Sequence, residues 1–406
     1  MEPVILKDNE QLRVKDLIVR FYTYEGIVKA VEKANLNLRK GETLGVVGET
    51  GSGKSVTAFT IMALTPSPGK VEGGDVFFRK STGDIVDMVK LKEETLLKIR
   101  GKEVSMIFQE PNAALDPLYK VGDQIAEAIL SHRLPEMLEK AVALVKNGGG
   151  LGKRLELWTY EVMRENRKSR LLDFLQRIPV IKNKMTESLK QVIRQEVIEL
   201  LRLMEIPDPE RVIDAYPHEL SGGMQQRIII AIALACSPTL LLADEPTTSL
   251  DVTVQAQILD LIARLKKMFG MSVIYITHDM GVIAEISDRV AVMYAGSVVE
   301  VAPVKELFKN PLHPYTRALL ESIPRPGSSF KSIPGTVPNL VNPPSGCRFH
   351  PRCPYAKDKC KREVPKLVKV SEDHYVSCLL YGGEGDGEHS SIDRCEEVLP
   401  DKGRSI

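Results

Sequence analysis

One tryptophan and an aromatic content of 5% leave little from which to build a stacking surface for single-stranded nucleic acid. A net charge of +1 over 406 residues excludes general binding to a polyanion, so no nucleic-acid partner is expected. No apolar stretch reaches the length needed to cross a bilayer, and Met1-Glu2-Pro3-Val4 does not begin a signal peptide. The expectation is a soluble or peripheral protein on the cytoplasmic side. Cysteine is scarce over most of the chain. Five of the six cysteines lie beyond residue 340, which is a local feature and not the composition of a disulfide scaffold. The length allows two or three domains.

What is present is organised around Gly48-Glu49-Thr50-Gly51-Ser52-Gly53-Lys54-Ser55, a match to G-x-x-x-x-G-K-[ST]. The apolar run Thr43–Val47 before it predicts a buried parallel strand, and Val56 to Leu64 after it predicts a helix. Glycines let successive N–H groups turn toward phosphate oxygens, and the helix N-terminus adds its positive end. Lys54 can reach the β- and γ-phosphates, and the Ser55 hydroxyl can ligate Mg²⁺.

Residues 11 to 38 predict an antiparallel strand pair, with Phe21, Tyr22 and Tyr24 on the connection; any of these rings can stack on a nucleobase or simply pack at a strand end, and Tyr24 is the one favoured for stacking. A short helix over Leu91–Arg100 leads to a buried strand, Val104–Phe108, ending in Gln109-Glu110-Pro111. A glutamine at such a strand end can orient a water or touch Mg²⁺. From Val121 to about Leu203 the pattern is helical, broken at Lys146–Gly152, and the stretch 153–190 is basic. That basic stretch reads as a solvated helical excursion or as a contact surface. Ser221-Gly222-Gly223 opens a long apolar helix and is a second helix start suited to an anion, or an ordinary serine cap.

Thr239–Ala243 predicts a buried strand ending in Asp244-Glu245. Asp244 suits Mg²⁺, and Glu245 faces another reactant and can polarise a water. Ser249-Leu250-Asp251 starts the next helix, Val273–Thr277 is one more buried strand, and His278 stands at its end. A hairpin is expected around Ala295-Gly296, a short helix after His313, and an extended Pro- and Gly-rich arm over Ile323–Pro344.

Taken together these motifs resemble the ATP-binding subunits of ABC transporters, over residues 11 to about 380. Gly48–Ser55 matches the Walker A loop, Gln109 the Q-loop, and Leu220–Arg227 the signature motif. Leu240–Glu245 matches Walker B, Ser249–Asp251 the D-loop, and His278 the switch histidine. The resemblance implies an α/β P-loop fold with a RecA-like core, an antiparallel β subdomain, a helical subdomain and a small cysteine-containing extension. The implied division is core over 1–120 and 221–305, helical subdomain over 121–220, extension over 306–380 and a disordered tail over 381–406. It also implies an ATPase whose subunits pair head to tail. Nucleotide would contact Gly48 to Val56, Tyr24, Asp244 and Asp251, together with Ser221, Gly222, Gly223 and Gln225. Ser55, Gln109 and Asp244 would hold Mg²⁺. Lys54, Gln109, Glu245 and His278 would act in hydrolysis.

Met106–Pro111, Tyr216–Met224 and His313–Thr316 resemble the oligopeptide/dipeptide importer branch. That branch implies a second, different ATPase, two permeases and an external binding protein, with peptide or oligosaccharide cargo. The long Arg133–Lys190 stretch departs from it. A soluble ABC ATPase of translation or DNA repair is the alternative, disfavoured by a single Walker A and no sustained heptads.

Cys347, Cys353, Cys360 and Cys378 follow the arm. Four clustered thiols suit a structural Zn²⁺ or an Fe–S cluster, although the spacing is wider than the usual zinc pair; a disulfide or plain thiols are the other readings. The importer branch carries a similar tail associated with a [4Fe–4S] cluster. Cys236 reads as core, and Cys395 lies in an acidic tail expected to be disordered.

Overall fold

A computed structural model describes residues 6–109, 114–146, 151–164, 186–248, 250–323 and 333–381. Glu110, Pro111, Ser249, Cys395, most of the Lys146–Gly152 break, much of the basic stretch and the first part of the arm lie outside them. The chain divides into two compact units, 1–92 with 272–406, and 93–271.

The strands of the chain are β1 (Glu10–Thr23), β2 (Gly26–Arg39), β3 (Thr43–Val47), β4 (Gly69–Arg79), β5 (Ile85–Asp87) and β6 (Val104–Ile107). They continue as β7 (Leu240–Asp244), β8 (Ser272–Thr277), β9 (Arg289–Tyr294), β10 (Ser297–Pro303), β11 (Val368–Ser371) and β12 (His374–Val376).

The first unit holds two sheets. One is antiparallel, in the order β2-β1-β4-β5. In the other, β3 runs parallel to β8 on one side and to β9 on the other. Every residue of β3, β8 and β9 is buried. This is what a parallel strand covered on both faces requires, and it explains the unbroken apolar runs in the sequence. The hairpin β9–β10 turns at Ala295-Gly296 as expected, and β12 and β11 extend the sheet antiparallel beyond β10. The extension is therefore part of this unit's sheet. Its anchor is the buried carboxylate of Glu300, which accepts from the backbone N–H of Leu312 and of His313 and lies 2.8 Å from His374 Nε2. The described part of the arm follows β2: Lys29 N–H donates to the carbonyl of Leu340 at 2.9 Å.

The second unit pairs β6 and β7 in parallel, both fully buried. Its helices include Val121–Lys146, Leu151–Arg164 and Glu187–Leu203, so the expected helical region is present. The last of these starts on a buried carboxylate. Glu156 accepts from Ser188 N–H at 3.0 Å and from its hydroxyl at 2.8 Å, which suits the positive end of a helix. Arg133, Glu136, Lys140 and Glu196 form an ion-pair cluster between helices, which holds the Glu136 carboxyl down at about 2.

Candidate functional site

In the first unit, β3 ends at Val47 and the helix Lys54–Ile61 begins seven residues later, so the predicted strand-loop-helix context is present. Gly53 has φ 96°, and a Cβ there would come within 2.7 Å of the Ala30 carbonyl. Gly48 lies so close to the Met293 carbonyl that a Cβ would meet it at 2.1 Å. The loop is thus bent where only glycine fits. Lys54 is buried, with its ammonium 2.7 Å from the Gly48 carbonyl and 3.2 Å from that of Glu49. Ser52 Oγ is buried in the same loop with no hydrogen-bond partner among the described residues, an orphaned polar atom of the kind a polar ligand satisfies. Thr50 and Gly51 form the exposed crown, and Ser55 and Val56 are half-buried at the helix start.

Three groups from far along the chain hold this loop. Tyr315 Oη accepts from Glu49 N–H at 2.9 Å. Gly296 N–H donates to the Ser52 carbonyl at 2.9 Å. Arg352 grips the Glu49 carboxylate with two nitrogens, at 2.8 and 3.1 Å. None of these was read from the sequence. Arg352 lies within the cysteine run, where the cysteines alone stand out, and Tyr315 stands out as a helix start and as part of the His313–Thr316 resemblance, neither of which points to Glu49. Tyr24 stands at the β1–β2 turn, 98% exposed. His278 follows β8 and is exposed, and Asp279 caps the next helix through Gly281 N–H at 2.7 Å.

In the second unit, β7 ends on Asp244, buried at the strand tip, and Glu245 follows with φ 47°. A left-handed glutamate is uncommon and costs about 1 kcal/mol, which marks a place where backbone direction matters. Gln109 Nε2 donates to Glu245 Oε2 at 3.3 Å, and Thr248 Oγ1 donates to the same oxygen at 3.0 Å. The structure therefore brings Gln109 and Glu245 together, and adds Thr248, which the sequence reading missed. Ser221 caps the helix Gly222–Leu234 by accepting from Met224 N–H at 3.4 Å. The Gln225 side chain donates to the carbonyls of Pro217 and Leu220, which fixes the entry to this helix. A Cβ at Gly223 would come 2.9 Å from Val254, in the helix that Asp251 caps by accepting from Val254 N–H at 3.0 Å. The two helix starts thus support each other.

The four cysteines of the tail are free thiols, which corrects the disulfide reading. Among the described residues, no group of three or more His, Cys, Asp or Glu is arranged to hold a metal ion, which the zinc reading and the Fe–S cluster reading both required. Each sulfur is instead seated by its own local turn. Lys357 N–H donates to Cys360 Sγ at 3.5 Å, and backbone N–H groups of Phe349, Tyr355 and Leu380 serve Cys347, Cys353 and Cys378. Burial, with charge on the neighbouring cysteines, pushes Cys353 up to about 11 and Cys378 up to about 12.

No helix among the described residues is long and apolar enough to cross a membrane. The family model described as ABC transporter matches residues 31–248, and that of the oligopeptide/dipeptide transporter C-terminal region matches 299–360. The chain is 42% identical over 380 residues to a putative peptide import ATP-binding protein of Brucella ovis, covering 91% of this chain and 97% of the relative. It is 43% identical over 374 residues to the oligopeptide transport ATP-binding protein of Bacillus subtilis, covering 91% and 88%. Among solved structures it is similar to a dimeric ATP-binding cassette in a post-hydrolysis state bound to ADP and phosphate. That match has a TM-score of 0.51 and 26% identity, over 72% of this chain and 98% of the other. The chain belongs to the ATP-binding subunits of ABC transporters, in the oligopeptide/dipeptide importer branch.

Proposed function

We propose that this chain is the ATP-hydrolysing subunit that powers import of oligopeptides or dipeptides. The observation that carries the reading is the phosphate loop, with Lys54 buried at its base and Ser52 Oγ unpartnered, in a chain so similar to peptide-import ATPases. Backbone N–H groups from Gly48 to Val56 and the Lys54 ammonium receive the phosphates. Ser55, Gln109 and Asp244 would hold Mg²⁺, direct or through water, and when bound it would supply positive charge against the phosphates. Glu245 takes a proton from the attacking water as its oxygen bonds to the γ-phosphorus; the bond to the β–γ bridging oxygen breaks and ADP leaves. His278 contacts the γ-phosphate, and Tyr24 stacks on the adenine. Ser221, Gly222, Gly223 and Gln225, with Asp251, complete the nucleotide site of the paired ATPase subunit.

The partners are a second ATPase subunit of different sequence, two permeases and an external solute-binding protein, with this chain peripheral on the cytoplasmic face. ATP-driven closure favours one permease state and hydrolysis releases it. Cys347, Cys353, Cys360 and Cys378 hold a [4Fe–4S] cluster in this reading. Four free thiols in one short segment are the donor chemistry such a group takes, and they would have to draw together to hold it, since the described residues show no group arranged for a metal.

The test is purification from native membranes without oxygen, followed by mass spectrometry and iron analysis. Recovery with two permeases, a second ATPase and a binding protein is expected, as is iron that disappears in Cys353→Ser. Recovery with ribosomes or repair factors overturns the importer, and iron-free native protein overturns the cluster.

A further inference from the structure

We propose that Arg352 is a positioning residue for the phosphate loop, so that the cysteine-bearing C-terminal segment sets how tightly this chain holds ATP. The inference rests on the reading of Gly48–Ser55 as the ATP loop. Glu49 uses all its polar groups at once. Its carboxylate takes the two-nitrogen grip of Arg352, its N–H donates to Tyr315 Oη, and its carbonyl accepts from Lys54 Nζ. Arg352 is thereby linked to the loop lysine through a single residue.

Arg352 is itself held in one pose. Its side chain is 4% exposed, Nε donates to the Pro334 carbonyl at 2.7 Å, and one terminal nitrogen also reaches Tyr294 Oη at 3.3 Å. The guanidinium lies over the Tyr294 ring, 5.7 Å from its centroid. A planar fork in this setting matches a carboxylate in two places, which a lysine does not do. The aromatic wall behind it is continuous: Phe349 packs on Tyr294, Tyr315 and His313, with ring centroids 5.1 to 5.7 Å apart. A second contact runs in parallel. Arg348 donates to the Ala295 carbonyl, in the turn whose Gly296 N–H holds the Ser52 carbonyl. Two arginines of one six-residue run, Arg348 to Cys353, thus support the loop from behind, and Cys347 and Cys353 sit directly beside them. Any change that displaces those cysteines reaches the ATP loop.

The experiment is a double-mutant cycle on MgATP binding, read by calorimetry, with Glu49→Gln, Arg352→Gln and the pair. Each single change is expected to raise the dissociation constant about tenfold, and the pair no further than the worse single, because one contact is removed in all three. Arg352→Lys is expected not to rescue. Glu49→Gln removes the ion pair from its half-exposed end and keeps one acceptor oxygen for Arg352, so it is expected to fold, and the readout survives even if Arg352→Gln folds poorly. An unchanged affinity in Glu49→Gln, or additive effects in the pair, overturns the positioning role. Lys54→Ala run alongside separates the two failures. If it loses binding while Glu49→Gln does not, only this inference falls; if Lys54→Ala binds normally, the ATP-loop reading falls with it.

Discussion

The phosphate loop and the carboxylate tip at Asp244-Glu245 are both short connections after a buried parallel strand, yet they are held differently. The loop takes its support from residues roughly 250 to 300 positions away, Gly296, Tyr315 and Arg352. Glu245 is oriented by Thr248, three residues on, and by Gln109, with both contacts near the surface. A loop that must present a fixed cradle of N–H groups gains from rigid distant supports. A carboxylate that must be placed against a water only when nucleotide is present is better served by light, exposed contacts, and the left-handed backbone at Glu245 aims it without burying it.

The comparison can be broken first at Glu245. Glu245→Gln keeps the size and hydrogen bonding of the side chain but removes the base. Steady ATP hydrolysis is expected to fall by at least about 100-fold, with ATP binding retained, as measured by phosphate release and nucleotide binding. Turnover near that of the unaltered protein would show that the strand-tip carboxylate is not the base. Thr248→Ala removes one orienting contact, and a loss of about fivefold in kcat with unchanged KM for ATP is expected, the size of one hydrogen bond. A Thr248→Ala protein with full kcat would mean that the Thr248 contact does not orient Glu245 for catalysis.

The supports of the loop give the most conditional effect, a dependence on pH. His313 is fully buried behind Tyr315 and accepts from Tyr315 N–H through Nδ1; burial, opposed by the Glu300 charge, lowers its pKa to about 4. In the unfolded chain a histidine titrates near 6.5. Between those values the unfolded state binds the extra proton, so stability present above about pH 6.5 is lost as pH falls toward 4. At pH 5 the loss is on the order of 2 kcal/mol. His313→Asn keeps a capping acceptor without the titration, and a smaller drop in melting temperature between pH 7 and pH 5 is the expected outcome. An equal drop would place the acid sensitivity in other groups.

The buried strands were legible because strands covered on both faces read as continuous apolar runs: Thr43–Val47, Leu240–Asp244 and Ser272–Thr277 fall where the sequence places them. The helix starts at Ser221 and Asp251 were legible because capping is local chemistry. The glycines of the phosphate loop announced themselves for the same reason: backbone conformation is written in residue type. Arg352, Tyr294, Tyr315 and Thr248 were not legible. An arginine in a cysteine run and a tyrosine at a helix start carry no mark of what they will touch, and nothing in their spacing points to residue 49.

By itself, then, the sequence determined the motifs, the order of elements and the chemistry offered at each strand end, since those depend on neighbours within a few residues. Only the tertiary structure decided that the C-terminal segment stands behind the phosphate loop. That contact joins positions about 300 residues apart, and it exists because β10 and β12 pair around the buried Glu300 and carry Arg352 to Glu49.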